Sequence, residues 1–236
     1  ARRRSLVVCC LRQVQPKNVL LFCECMAILQ PFLELHNLTP LLCGAAADEQ
    51  YAEKCRQTLQ SACPSSEVIT SFMGPDDLAH IFSHTILNVH TAVYEAYGMT
   101  IVEAAAFAAP SVLHFEDIGA SELLPAISVK HAEAHTDIPD RHTDMDTHTE
   151  IGADIDAKID TPHRHTDTDT DIDNTRPGSS FPADMRASAE ELAATIRVIL
   201  SHPIRLRAVG EEAKRRAMAR GEEAFSADLM RHVTMS

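Results

Sequence analysis

The sequence has no tryptophan, three tyrosines and eight phenylalanines, so the hydrophobic positions, 45% of its 236 residues, must build a core that is mainly aliphatic. Basic residues are also scarce. The 21 Lys and Arg face 34 Asp and Glu, a formal net charge of −13, which argues against a nucleic-acid surface, since phosphate backbones select basic patches. Any phosphate site must therefore be made basic locally. No Gly-x-Gly-x-x-Gly follows the first apolar run, which weighs against a coincidentally acidic enzyme of the dinucleotide-binding kind. No segment has the length and apolarity of a membrane span. VLLFCECMAILQPFLEL (19–35) is short and carries Glu24, Gln30 and Glu34, so it reads as an amphipathic helix. ARRRSLVVCCL offers only about six apolar residues before Arg12, short of the ~7 to 15 of a secretory signal, and reads as a buried strand. Membrane association is not indicated.

The seven cysteines lie mostly in apolar surroundings such as VVCC and LLCG, as expected of reduced buried thiols in a cytoplasmic protein. Cys23 and Cys25 are two apart on the 19–35 helix and point to different faces, so they do not form a zinc site. No metal or other cofactor is expected.

What is present is concentrated in YEAYGMTIVEAAAFAAP (94–110). TILNVH (85–90) before it reads as a short buried strand, and Met99, Ile101, Val102, Ala105 and Ala106 supply the apolar residues of a helix opened by Gly98. A helix start offers unpaired N–H groups and a positive dipole end to an anion. Glu103 falls about one turn inside, where a carboxylate can accept from ribose hydroxyls, and Glu95 stays in the loop facing a ligand. Acidic residues near a helix start also complement the dipole with no ligand at all. The longer string decides between the two readings.

That string resembles the Glu-x7-Glu motif of retaining glycosyltransferases of the GT-B type, in the group-1, glycogen-synthase-like family. The resemblance continues in register. SLVVCCLRQVQPKNVLLFCECMAIL (5–29) is similar to the first strand, loop and helix of the family's C-terminal nucleotide-binding domain, TPLLCG (39–44) to its second strand, and VITSFMGPDDLAHIFSH (68–84) to the next strand, loop and short helix. HFEDIGASELL (114–124) resembles the segment after the fifth strand, and the tail from Ala183 its closing helices. The resemblance implies a Rossmann-like α/β fold with a mainly parallel sheet, one half of a GT-B enzyme.

It also implies roles. Arg12 and Lys17 would neutralise the donor diphosphate, a planar fork beside a movable point charge. Gly98, Met99 and Thr100 would give backbone N–H groups to it, Glu103 would hold the ribose and Glu95 would orient the sugar. The ligand is a nucleotide sugar, UDP- or GDP-linked, and the acceptor is not specified. The chain departs from the family at Leu11, where Gly usually precedes the clamp arginine, at Ala108 or Ala109, where Gly is usual, and at His90 and Thr91, where Pro-Ser is common. The family's acceptor-binding N-terminal domain has no counterpart in these residues. A separate domain or partner is therefore expected to supply it, and the alternative is an inactive or fragmentary nucleotide-binding module acting through a partner.

Three regions follow: a nucleotide-sugar-binding core at 1–127, an insertion at 128–180 and closing helices at 181–236. The insertion repeats His-Thr-Asp and Thr-Asp, and buries too little apolar surface to offset its ordering entropy, so disorder is expected. His131, His135, His142, His148, His163 and His165 among many Asp residues could capture metal weakly, without a dedicated site. Beyond it, Ser188 with Glu191 forms a capping box opening a helix whose buried side is marked by Leu192, Ile196, Val198, Ile199 and Leu200. Pro203 begins a last, charged amphipathic helix.

Overall fold

The computed structural model describes residues 5–114, 116–127 and 178–234, with side chains through residue 221. The His- and Asp-rich tract between Ser128 and Pro177 lies outside the described residues, and so does the expected disorder or metal capture there.

Six strands form one all-parallel sheet in the order β3-β2-β1-β4-β5-β6. They are β1 (Leu6–Cys10), β2 (Thr39–Cys43), β3 (Glu67–Ile69), β4 (Thr85–His90), β5 (Ser111–His114) and β6 (Ser180–Ala183). Parallel strands covered on both faces read as apolar runs rather than alternations, and VVCC of β1, PLLC of β2 and SVLH of β5 are buried throughout. The helices are α1 (Val19–Leu35), α2 (Glu49–Ala62), α3 (Pro75–His84), α4 (Met99–Ala106), α5 (Ala189–Leu200) and α6 (Pro203–Thr234). The fold is thus the Rossmann-like α/β arrangement that the sequence implies.

One sheet face carries Val7, Cys9, Leu42, Leu87, Val89, Val112 and Phe181 against α1, α2 and α5. On the other, Val8, Cys10, Leu41 and Cys43 meet Ile81 and Phe82 of α3 and Ala104 of α4, while Leu113 meets Ile101, Ala105 and Ala213 of α6. All seven cysteines are free and buried in these layers. Cys23 lies in the core layer with Cys55 of α2, whereas Cys25 donates to the Ala189 carbonyl of α5 at 3.3 Å, so the two do face different ways.

The expected capping box is formed. The Glu191 N–H donates to Ser188 Oγ at 3.2 Å, and the Ser188 N–H donates to Glu191 Oε2 at 3.0 Å. Two apolar assignments differ from the pattern: Val198 is exposed on α5, its place taken by Ala193, and Met99 is exposed at the head of α4, where Ile101, Ala104 and Ala105 make the contact. Strand β6, on the far side of the insertion, is not signalled by its sequence, because SFPA is short and contains Pro. Pro182 is tolerated because β6 is an edge strand.

The strand order reverses between β1 and β4. Chain leaving β1 turns toward α1 on one face, while chain leaving β4 turns toward α4 on the other. A crevice opens at such a switch point, beyond the C-terminal ends of the two strands.

Candidate functional site at the β1–β4 switch point

After Cys10 the chain runs through Leu11, Arg12 and Gln13 into a 3-10 turn at Gln15–Lys17. Gln13 fixes that passage. Its side chain is fully buried and donates to the Gly44 carbonyl at 2.9 Å and the Ile69 carbonyl at 3.1 Å, stitching the exits of β1, β2 and β3 together. The neighbouring Arg12 is exposed, and among the described residues no carboxylate pairs with it. It is held by its backbone and leaves its guanidinium available.

Lys17 ends the turn. Its carbonyl accepts from Thr91 Oγ1 at 2.9 Å, tying it to the segment that leaves β4, and Thr91 Oγ1 also lies 3.9 Å from Cys9 Sγ of β1. The Lys17 ammonium donates to Glu95 Oε2 at 2.5 Å, with the two side chains 16% and 23% exposed. A cation and a carboxylate to which the resemblance gives separate roles therefore meet across the switch point.

Glu95 is held in place by backbone. Its N–H donates to the Asp117 carbonyl at 3.0 Å and its carbonyl accepts from the Gly119 N–H at 2.9 Å, an isolated parallel bridge between Glu95 and Ile118. Gly119 is required by the approach: a Cβ there would lie 2.1 Å from the Ala96 carbonyl oxygen. Gly98 then precedes α4 with φ 81°, a left-handed conformation that side chains disfavour. The first helical N–H groups, those of Met99 and Thr100, have no partner within the helix. They lie four and five residues beyond Glu95, at the positive end of a short dipole.

Glu103, on the second turn of α4, is half-buried, and burial raises its carboxyl above the ordinary value. A half-buried acid can accept from neutral hydroxyls at little cost. No cation among the described residues pairs with it. The structure thus brings Lys17 and Glu95 into contact, puts Gly98, Met99 and Thr100 at the helix start that follows, and leaves Arg12 and Glu103 unpaired on separate elements.

One residue of the site was not singled out by sequence, and another, His90, was noted only as a departure from the family's Pro-Ser. Gln13 stands beside Arg12 in a loop where only charge drew attention. His90 ends β4 with its side chain 1% exposed, its Nε2 3.8 Å from Glu95 Oε2, and neither ring nitrogen hydrogen-bonded. Burial pushes the imidazole down to about 4; Glu95 pulls it up, and Lys17 pushes it further down. The signal for His90 was a lone histidine at the end of an apolar strand.

Among the described residues there is no cluster of His, Cys, Asp or Glu that could hold a metal ion, and no helix long and apolar enough to cross a membrane.

No protein-family model and no curated protein matches the chain. Solved structures do. The Anabaena protein HepE in complex with UDP and glucose is 16% identical with a TM-score of 0.63, the match covering 99% of this chain and 49% of that one. Sucrose-phosphate synthase from Thermosynechococcus elongatus is 16% identical at a TM-score of 0.58, covering 98% and 46%. The C-terminal domain of a glycosyl transferase group 1 family protein, LpcC from Francisella tularensis, is 10% identical at 0.58, covering 92% and 86%. These likenesses show the fold, that of one half of a GT-B glycosyltransferase. The chain spans about half the length of the first two, 49% and 46%.

Proposed function

We propose that the chain is the donor-binding half of a retaining glycosyltransferase of the group-1, Glu-x7-Glu family, and that it takes a nucleoside-diphosphate sugar in the crevice beyond β1 and β4. One observation carries this reading: a cation from the turn after β1 and a carboxylate from the loop after β4 meet at the switch point, beside a helix start with free N–H groups. That is the place and the chemistry a diphosphate needs. The UDP held by HepE supports the ligand class.

In this reading Arg12 and Lys17 neutralise the diphosphate, joined by the N–H groups of Gly98, Met99 and Thr100. Glu103 accepts from the ribose hydroxyls, and Glu95 orients the donor sugar. Breaking the sugar–phosphate bond leaves charge on the departing diphosphate, so preorganised donors aimed at it lower the barrier. The cations and dipole supply that charge without a metal. Residues 1–127 and 181–236 together make this unit, with 128–180 inserted between them. The acceptor and the facing wall of the cleft come from another domain or a partner. The seven free, buried thiols accord with a cytoplasmic setting.

Calorimetry with UDP, GDP and ADP tests the reading. Binding of one diphosphate that is lost in Arg12→Ala and Glu103→Ala supports it, and binding of none overturns it. The second reading, a nucleotide-binding module without turnover, predicts the same binding but no sugar transfer when the chain is assayed with a partner domain.

A further inference from the structure

His90 is the buried polar group that the donor-site reading does not use. A buried donor or acceptor without a partner is costly, and this ring has two such atoms. Its Nε2 stands 3.8 Å from Glu95 Oε2, the same oxygen that Lys17 holds at 2.5 Å. That separation is too long for a hydrogen bond, yet a shift of about 1 Å would make one. One carboxylate oxygen thus has two possible partners, brought by different elements. Lys17 is a flexible cation at the crevice, and His90 is fixed in the sheet.

If a ligand diphosphate draws the Lys17 ammonium away, Glu95 is left a half-buried anion without its cation. We propose that His90 is a positioning residue of the donor site, taking over Glu95 Oε2 when a nucleoside diphosphate engages Lys17 and so keeping the carboxylate aimed into the crevice. This rests on the donor-site reading above. The step is an exchange of one ion pair for another: Lys17–Glu95 opens, Lys17–diphosphate forms, and the His90 Nε2–H donates to Glu95.

A linkage follows. The charged groups acting on the ring are Glu95 and Lys17. Across the same sheet face its registered strand neighbour is Leu113 of β5, and α4, which packs on that face, carries one acid, Glu103. Removing Lys17 takes away a push toward the neutral ring and leaves the pull of Glu95. Ligand binding therefore draws a proton onto His90, in the window between about 4 and the ordinary histidine value of 6.5.

The test is titration calorimetry of the whole chain with UDP or GDP near pH 6, in two buffers of different ionisation enthalpy. Wild type should take up to about one proton more per nucleotide than His90→Gln, a difference in which the ligand's own phosphate proton cancels. His90→Leu should bind about tenfold more weakly at pH 6, the weight of one charge-assisted hydrogen bond, and His90→Gln, which can still donate, should recover most of that loss. Glu95→Gln should abolish the extra uptake with His90 intact, so the linkage can be read even if the His90 variants fail to fold. Equal uptake in wild type and Glu95→Gln, or in wild type and a folded His90→Gln, overturns the inference, while the donor-site reading stands so long as Arg12→Ala loses the nucleotide. If neither UDP nor GDP binds, the donor-site reading falls and takes this inference with it.

Discussion

The Lys17 ammonium and the Glu95 carboxylate lie 2.5 Å apart although 78 residues separate them in the chain. Each is delivered by a strand end, β1 for one and β4 for the other, and the parallel pairing of those strands brings them together. The pair is only partly screened from water, so its value lies less in stability than in holding both charges at the crevice.

The two members should respond to substitution in opposite ways. Glu95→Gln releases Lys17 and should tighten binding of a free nucleoside diphosphate a few-fold, whereas Lys17→Ala should weaken it tenfold or more. Titration of both variants with UDP and GDP checks this. Equal weakening by both would mean that Glu95 orients Lys17 toward the diphosphate rather than competing with it for the ammonium.

Ala108 gives a second, independent expectation. The family resemblance places a glycine at Ala108 or Ala109, and the structure puts Ala108 at φ 55°, in the left-handed region that costs a side chain roughly 1 kcal/mol. Ala108→Gly relieves that strain and gives back part of the gain as unfolded-chain entropy. The variant should be as stable as wild type or more stable by up to about 1 kcal/mol. Urea unfolding measures it, and a loss above ~1 kcal/mol would show that the Ala108 methyl contributes packing that outweighs the strain.

Features set by a few neighbouring residues were legible in the sequence, and contacts set by the assembled sheet were not. Apolar runs gave β1 and β4, resemblance gave β2, and a Ser with Glu three positions on gave the start of α5, because the runs and the cap depend on a few neighbouring residues. The Lys17–Glu95 contact depends on strand order, which local pattern does not encode; resemblance of the surrounding string singled out each residue but not their pairing. β6 escaped because an edge strand of four residues with a proline makes no periodic signal. Gln13 escaped, and His90 was noted only as a departure from the family's Pro-Ser, because their surroundings are set once the sheet has formed.

Gly119 tests the staple behind Glu95. A methyl group there would meet the Ala96 carbonyl at 2.1 Å, backbone that cannot move without breaking the Glu95–Ile118 bridge. Gly119→Ala should lose about 2 kcal/mol or more of stability, in the range of overpacking and backbone effects. It should also weaken nucleotide-sugar binding more than nucleotide binding, since Glu95 moves with its loop. A thermal midpoint within a degree or two of wild type would contradict so tight an approach.

Acid should destabilise the protein through His90, and the sign can be worked out. The folded-state value of about 4 lies below the ordinary 6.5, so between these values the unfolded chain binds a proton that the folded chain refuses. The contribution is complete above about pH 6.5, falls as pH is lowered through the window, and is gone below about 4; at ~1.4 kcal/mol per unit it amounts to about 3 to 4 kcal/mol at most. Glu103 works the other way, because a carboxyl raised by burial makes the folded chain the better proton binder above 4.5. Glu212, held down to about 2 by Arg215 and Arg216, acts only at lower pH. Unfolding free energy measured from pH 7 to 4.5 should therefore fall more steeply in wild type than in His90→Gln, the difference tracking one histidine. Parallel curves would mean that the folded and unfolded chains bind the His90 proton alike, and burial would then not be holding the ring neutral beside Glu95.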